Sequence, residues 1–157
     1  MYISLMNNQE LFEQSFEMIT KLFRTMMYGI FIYPLFVAGV ETFNWGIFHF
    51  LNFETMKTMG LIFMILTLIS FPLIHLTHGY FTRNCTDISD LARRLVYADI
   101  ANLAISELIT FYGVIIYITS ANLKFFYLFF VISFIHLFTV RPSQKKWQKY
   151  LDIVAKR

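Results

Sequence analysis

The 157-residue chain is 57% hydrophobic, carries 19 phenylalanines and has a mean hydropathy of +0.58, well above the roughly 45–50% apolar content of soluble domains. Its net charge of +3 comes from scattered basic residues, which excludes the dense basic stripe of a nucleic-acid-binding protein, and its single cysteine, Cys85, excludes an intrachain disulfide. The composition fits an all-α integral membrane protein, one membrane domain over residues 1–157, with lipid around a four-helix bundle.

The opening MYISLMNNQELFEQ lacks the basic n-region and short apolar block of a signal peptide, so the first span is expected to stay in the mature protein. Leu11, Phe12, Phe16, Ile19 and Phe23 recur at helical spacing. They predict an amphipathic interfacial helix over residues 8–24, with Asn7 or Asn8 as its cap. A first span follows at about Thr25–Val40, kinked by Pro34. Residues 41–55 contain Trp45, Phe48, Phe50 and Phe53, which suit an extracytoplasmic interfacial segment in the aromatic belt. The second span, about Met59–Leu76, is expected to bend at Pro72, with Ser70 available to the backbone group that the proline frees. His75 and His78 stand at i, i+3 near its end. Metal ligands use that spacing, but these two are read as ordinary interfacial histidines, and no metal or cofactor is expected.

Between Asp87 and the third apolar stretch no helix breaker interrupts the chain. One helix is predicted over 87–119, capped by Thr86 or Asp87, with its apolar part at about Ile100–Thr119 forming the third span. Only SANLK separates it from a fourth span at about Phe125–Val140, which requires an antiparallel hairpin. After Pro142, Ser143 can cap an amphipathic helix over 143–156 in which Trp147, Tyr150, Leu151 and Val154 make an apolar stripe opposite lysines. That pattern predicts a helix lying on anionic lipid, with Lys145, Lys146, Trp147 and Lys149 as lipid or partner contacts.

Eleven Lys and Arg residues flank one side of the four spans, and only Lys57 and Lys124 fall on the other. The positive-inside bias therefore places both termini and the central loop in the cytoplasm, the expected setting being a bacterial inner membrane. The projecting start of the third helix, with Arg83, Asn84, Arg93 and Arg94 nearby, could dock a partner.

Glu107 is the one charge inside the third apolar stretch, about 10 Å along it from Ile100. An ionised carboxylate at a span's centre costs about 2.5–3.5 kcal/mol, so such acids are by default functional. Thr110 on its own helix, and Ser133 and His136 on the antiparallel fourth span, are the expected hydrogen-bond partners. The stretch AISELITFYGVIIYI resembles the ion-carrying helix of the rotor c subunit of F-type ATP synthases, at Ala104, Ser106, Glu107, Tyr112, Gly113 and Val114. The resemblance implies that Glu107 binds the ion and that Tyr112 braces it. Leu108 stands where sodium-binding versions carry a hydroxyl, which favours a proton. The whole chain is similar to small uncharacterised four-helix bacterial membrane proteins sharing this third helix. YGIFIY at 28–33 also echoes YGVIIY at 112–117, as a duplicated hairpin or as coincidence between two biased spans. No nucleophile or phosphate-loop motif is present, so an enzyme is not expected. The expected function is a proton-binding or proton-translocating subunit in an oligomer or larger complex; the alternative is a structural or accessory subunit that scaffolds a partner.

Overall fold

The computed structural model describes residues 2–43, 52–83, 85 and 87–155, the side chains of 2–9 and 155 apart. Every element among the described residues is a helix: α1 (Tyr2–Gly29), α2 (Ile32–Phe43), α3 (Phe53–Thr82), α4 (Ile88–Ser120), α5 (Leu123–Thr139) and α6 (Gln144–Ala155). Three stretches are long and apolar enough to cross a membrane, namely Glu10–Phe43 across α1 and α2, α3, and α4. A fourth is added if α5 and α6, bent by 45° at their junction, count as one span.

Pro34 does more than kink the first stretch. Its ring excludes the carbonyl four residues back, that of Ile30, and the chain breaks at Ile30 and Phe31, where Phe31 N instead reaches the Tyr28 carbonyl at 3.2 Å. Upstream, α1 is continuous to Gly29, so no boundary separates an interfacial 8–24 segment from a span beginning at 25. Asn7 and Asn8 lie inside this helix rather than capping it. Pro72, by contrast, is carried within an unbroken α3. The Ser70 hydroxyl bonds the Thr67 carbonyl at 2.6 Å, one residue before the Leu68 carbonyl that Pro72 deprives of its donor. Within the expected 41–55 segment, residues 44–51, including Trp45, Phe48 and Phe50, lie outside the described residues; Asn52 caps α3 by accepting from Thr55 N at 2.8 Å.

α4 begins one residue after the expected cap Asp87 and runs 33 residues, about 50 Å at 1.5 Å per residue. It therefore exceeds a hydrocarbon core of about 30 Å. Ala121 in the left-handed conformation (φ 53°) stops it, and Asn122 caps α5 by accepting from Phe125 N at 3.1 Å. This confirms the tight turn read from SANLK. α4 is the axis of the fold: α5, α3, α1 and α6 all pack against it. Gly113 permits the closest approach, since a Cβ there would stand 3.0 Å from both the Phe126 carbonyl and the Phe129 Cβ of α5. The echoed hexapeptides are not equivalent: residues 28–33 straddle the α1/α2 break, whereas 112–117 lie in unbroken helix.

The outward faces stay apolar, with Leu35, Leu61, Leu68, Ile135 and Phe138 exposed, which suits lipid as solvent. α6 departs from expectation. Its stripe does not face a leaflet: Trp147 is 1% exposed, and Tyr150, Leu151 and Val154 pack on the main core cluster. Its lysines face outward, together with Gln144, Gln148, Asp152 and Ile153.

Gly113→Leu is expected to overpack the α4/α5 contact by about 1–3 kcal/mol, lowering the thermal midpoint in detergent. Gly39→Leu, where a Cβ would meet nothing within 4 Å, should leave the midpoint unchanged or slightly raised.

Candidate functional site

The polar residues of α4 fall on two faces. Asp99, Asn102, Ser106 and Thr110 are spaced three, four and four residues apart, which stacks them in one row, and all four are buried. Glu107, one position past Ser106, is rotated by about 100° and emerges half-buried on another side.

Asp99, 2% exposed, is the hub at one end of the row. Its Oδ1 lies 2.9 Å from His78 Nε2 of α3, and its Oδ2 accepts the indole N–H of Trp147 of α6 at 2.9 Å. Two donors on two oxygens are what a buried carboxylate needs to offset lost hydration. Phe12 and Phe16 of α1 pack edge-on against Trp147, each at 5.3 Å between ring centroids. Four helices thus meet around one carboxylate. With Nε2 donating to Asp99, His78 Nδ1 has two candidate partners, Asn102 Nδ2 at 3.5 Å and the Ile74 carbonyl at 3.4 Å. The amide can donate only to a neutral imidazole and the carbonyl can accept only from a charged one, so both protonation states of His78 find a partner. The Thr77 hydroxyl lies 2.9 Å from both Asn102 Oδ1 and the Ile74 carbonyl, tying the Asn102 amide to α3.

One turn further, Ser106 Oγ lies 2.7 Å from His136 Nδ1 of α5 and 3.2 Å from the Asn102 carbonyl. The Ser133 hydroxyl donates to the Ser106 carbonyl. His136 Nε2 faces the backbone of Ser70 without closing a hydrogen bond.

The residues expected around Glu107 are therefore divided. Ser133 and His136 serve Ser106, and Thr110 Oγ1 is buried with no partner among the described residues. Tyr112, five positions on and about 140° away around the helix, stacks on Phe63 of α3 at 4.4 Å. Tyr33 of α2 is an ionisable side chain near Glu107. Asp99 escaped sequence reading because it precedes the apolar stretch and resembled the polar end of a span; the signal was its 3-4-4 spacing with Asn102, Ser106 and Thr110.

Among the expected partner contacts, Arg93 and Arg94 both pair with Asp90, at 2.9 and 2.7 Å. The Arg93 hydrogen bond, against some burial and with the charge of Arg94, holds the Asp90 carboxyl below the usual carboxylate range. Asp90 lies in the polar first third of α4, outside its apolar window. Arg83 is exposed at the end of α3, and Asn84 lies outside the described residues. Lys145, Lys146 and Lys149 are exposed on α6, while Trp147 is withdrawn from lipid by its bond to Asp99. No three His, Cys, Asp or Glu side chains among the described residues cluster as a metal site. Compared with known proteins, the chain matches no family model, no curated protein and no solved structure.

Trp147→Phe keeps an aromatic ring between Phe12 and Phe16 but removes one donor from Asp99. A hydrogen bond to a charged group is worth about 1.5–3 kcal/mol, so the thermal midpoint should fall by several degrees. Trypsin should then cut at Lys145–Lys149 faster than in the parent chain, because α6 loses its tether.

Proposed function

We propose that this chain is a non-enzymatic membrane subunit that binds a proton at Glu107 within an oligomer or larger complex. In this reading its spans place both termini in the cytoplasm of a bacterial cell. One observation carries the proposal: Glu107 is the only charged residue between Ile100 and Ser120, is half-buried, and has no hydrogen bond or ion pair among the described residues. Its neighbours Ala104, Leu108 and Phe111 face outward. A carboxyl set in hydrocarbon is stable as the neutral acid or with a partner brought from outside the chain, and either condition suits a group that exchanges protons at a subunit boundary. The contrast with Asp99 supports this, since that carboxylate is saturated from within.

A second reading, a scaffold without transport activity, draws on the same contrast. The Trp147–Asp99–His78 junction holds α6 against α3 and α4 and presents its lysines outward, as a docking platform would require. The two readings differ in what Glu107 must do.

Glu107→Gln in proteoliposomes separates them. Under the first reading the variant assembles normally, proton uptake falls to the protein-free background, and carbodiimide labelling of that segment disappears. Undiminished uptake, or loss of assembly alone, would instead favour the scaffold.

A further inference from the structure

We propose that the cavity between α3 and α6 binds the phosphate headgroup of an anionic phospholipid. This hollow of about 310 Å³ is lined by His75 and His78 from α3 and by Lys146, Lys149 and Tyr150 from α6, over an apolar floor that includes Ile74. Each helix contributes its basic residues at i, i+3, so both pairs project from one face toward the same space. No carboxylate lines it. Neither lysine forms an ion pair among the described residues; Asp99 is occupied behind His78, and the exposed Asp152 of α6 is not among the lining residues. The cavity is therefore a concentration of donors and positive charge without a counter-ion of its own. The Tyr150 ring, parallel to His78 at 6.2 Å, keeps the two helices in register.

The occupant is a lipid rather than free phosphate because of what adjoins the cavity. From His75, a strip of exposed residues at three- and four-residue spacing, Pro72, Leu68, Ile65 and Leu61, runs along α3 away from the charged pocket. It spans fourteen residues, about 21 Å, longer than one leaflet's share of a hydrocarbon core of about 30 Å. A headgroup in the cavity would lay its acyl chains along this strip. The inference rests on α3 being membrane-embedded and is independent of any proton exchange at Glu107. It also replaces the expected way in which α6 meets lipid: its apolar stripe is turned inward, and contact passes through one defined headgroup site.

The test compares thermal midpoints and native mass spectra of the purified protein in detergent with added phosphatidylglycerol, phosphatidylcholine or millimolar inorganic phosphate. Phosphatidylglycerol alone should raise the midpoint, by on the order of 5 °C near saturation, and should remain bound in the spectra. The double variant Lys146→Gln/Lys149→Gln should bind it about thirtyfold more weakly, whereas Lys145→Gln, one residue outside the cavity, should bind as the parent does. Equal stabilisation by phosphatidylcholine would overturn the proposal, and so would an equal effect of inorganic phosphate. Loss of binding in Lys145→Gln as large as in the double variant would also overturn it, reducing the effect to general surface charge. Proton flux is not measured, so these outcomes stand apart from the fate of the Glu107 reading.

Discussion

A carboxylate taken out of water must recover its hydration from fixed donors, and at Asp99 those donors come from two other helices. His78 of α3 and Trp147 of α6 each supply one N–H at 2.9 Å, and α1 closes the site with the rings of Phe12 and Phe16. Removing either donor would leave a buried charge half-solvated, which is costlier than the net worth of the bond itself. α6, a short helix joined to α5 through a bend, is held to the bundle by the Trp147 bond to Asp99 together with the packing of Tyr150, Leu151 and Val154 on the main core. From that attachment follow the inward position of its apolar stripe and the outward position of its lysines.

The same constraint orders the interior of α4. In its buried row, Asp99, Asn102 and Ser106 draw in side chains of α3 and α5, so that polar groups of three helices meet along a single line, while Thr110 Oγ1 at the end of the row has no partner among the described residues. Gly113, further along, lets α5 approach closely. With that face committed to α5, Glu107 can only emerge elsewhere, beside Tyr33 and the outward residues of α4. Asp99 and Glu107 thus occupy opposite situations. Asp99 is held by donors on both oxygens and acts as a joint; Glu107 has no hydrogen bond or ion pair among the described residues, which is what the proposed proton exchange draws on.

Two proposals follow at different places, and they share the membrane as their setting. Proton binding at Glu107 concerns the half-buried flank of α4. Lipid binding concerns the end of α3, where His78 stands between the Asp99 hub and the basic cavity. A headgroup held by Lys146 and Lys149 would brace α6 from its outer side, as Trp147 does from its inner side.

By itself the sequence determined much that depends on local pattern: the helical class, the uninterrupted α4 from the residue after Asp87, the tight turn before α5, and the apolar stretches that set membrane-crossing length, though not the continuity of α1 through Asn7, Asn8 and residue 25. These depend on runs, spacings and caps within a few residues of one another. It also marked Pro34, though not that the clash with the Ile30 carbonyl would divide the helix. Tertiary structure alone decided which way each face turns. A helical pattern shows that Trp147, Tyr150, Leu151 and Val154 share a stripe, and lipid and protein interior are both apolar enough to receive it; only the long-range bond to Asp99 selects the interior. Likewise Ser133 and His136 lie near the depth of Glu107 by simple counting, yet the rotation of α4 that buries its polar row gives them to Ser106, because one residue of offset turns a side chain through about 100°.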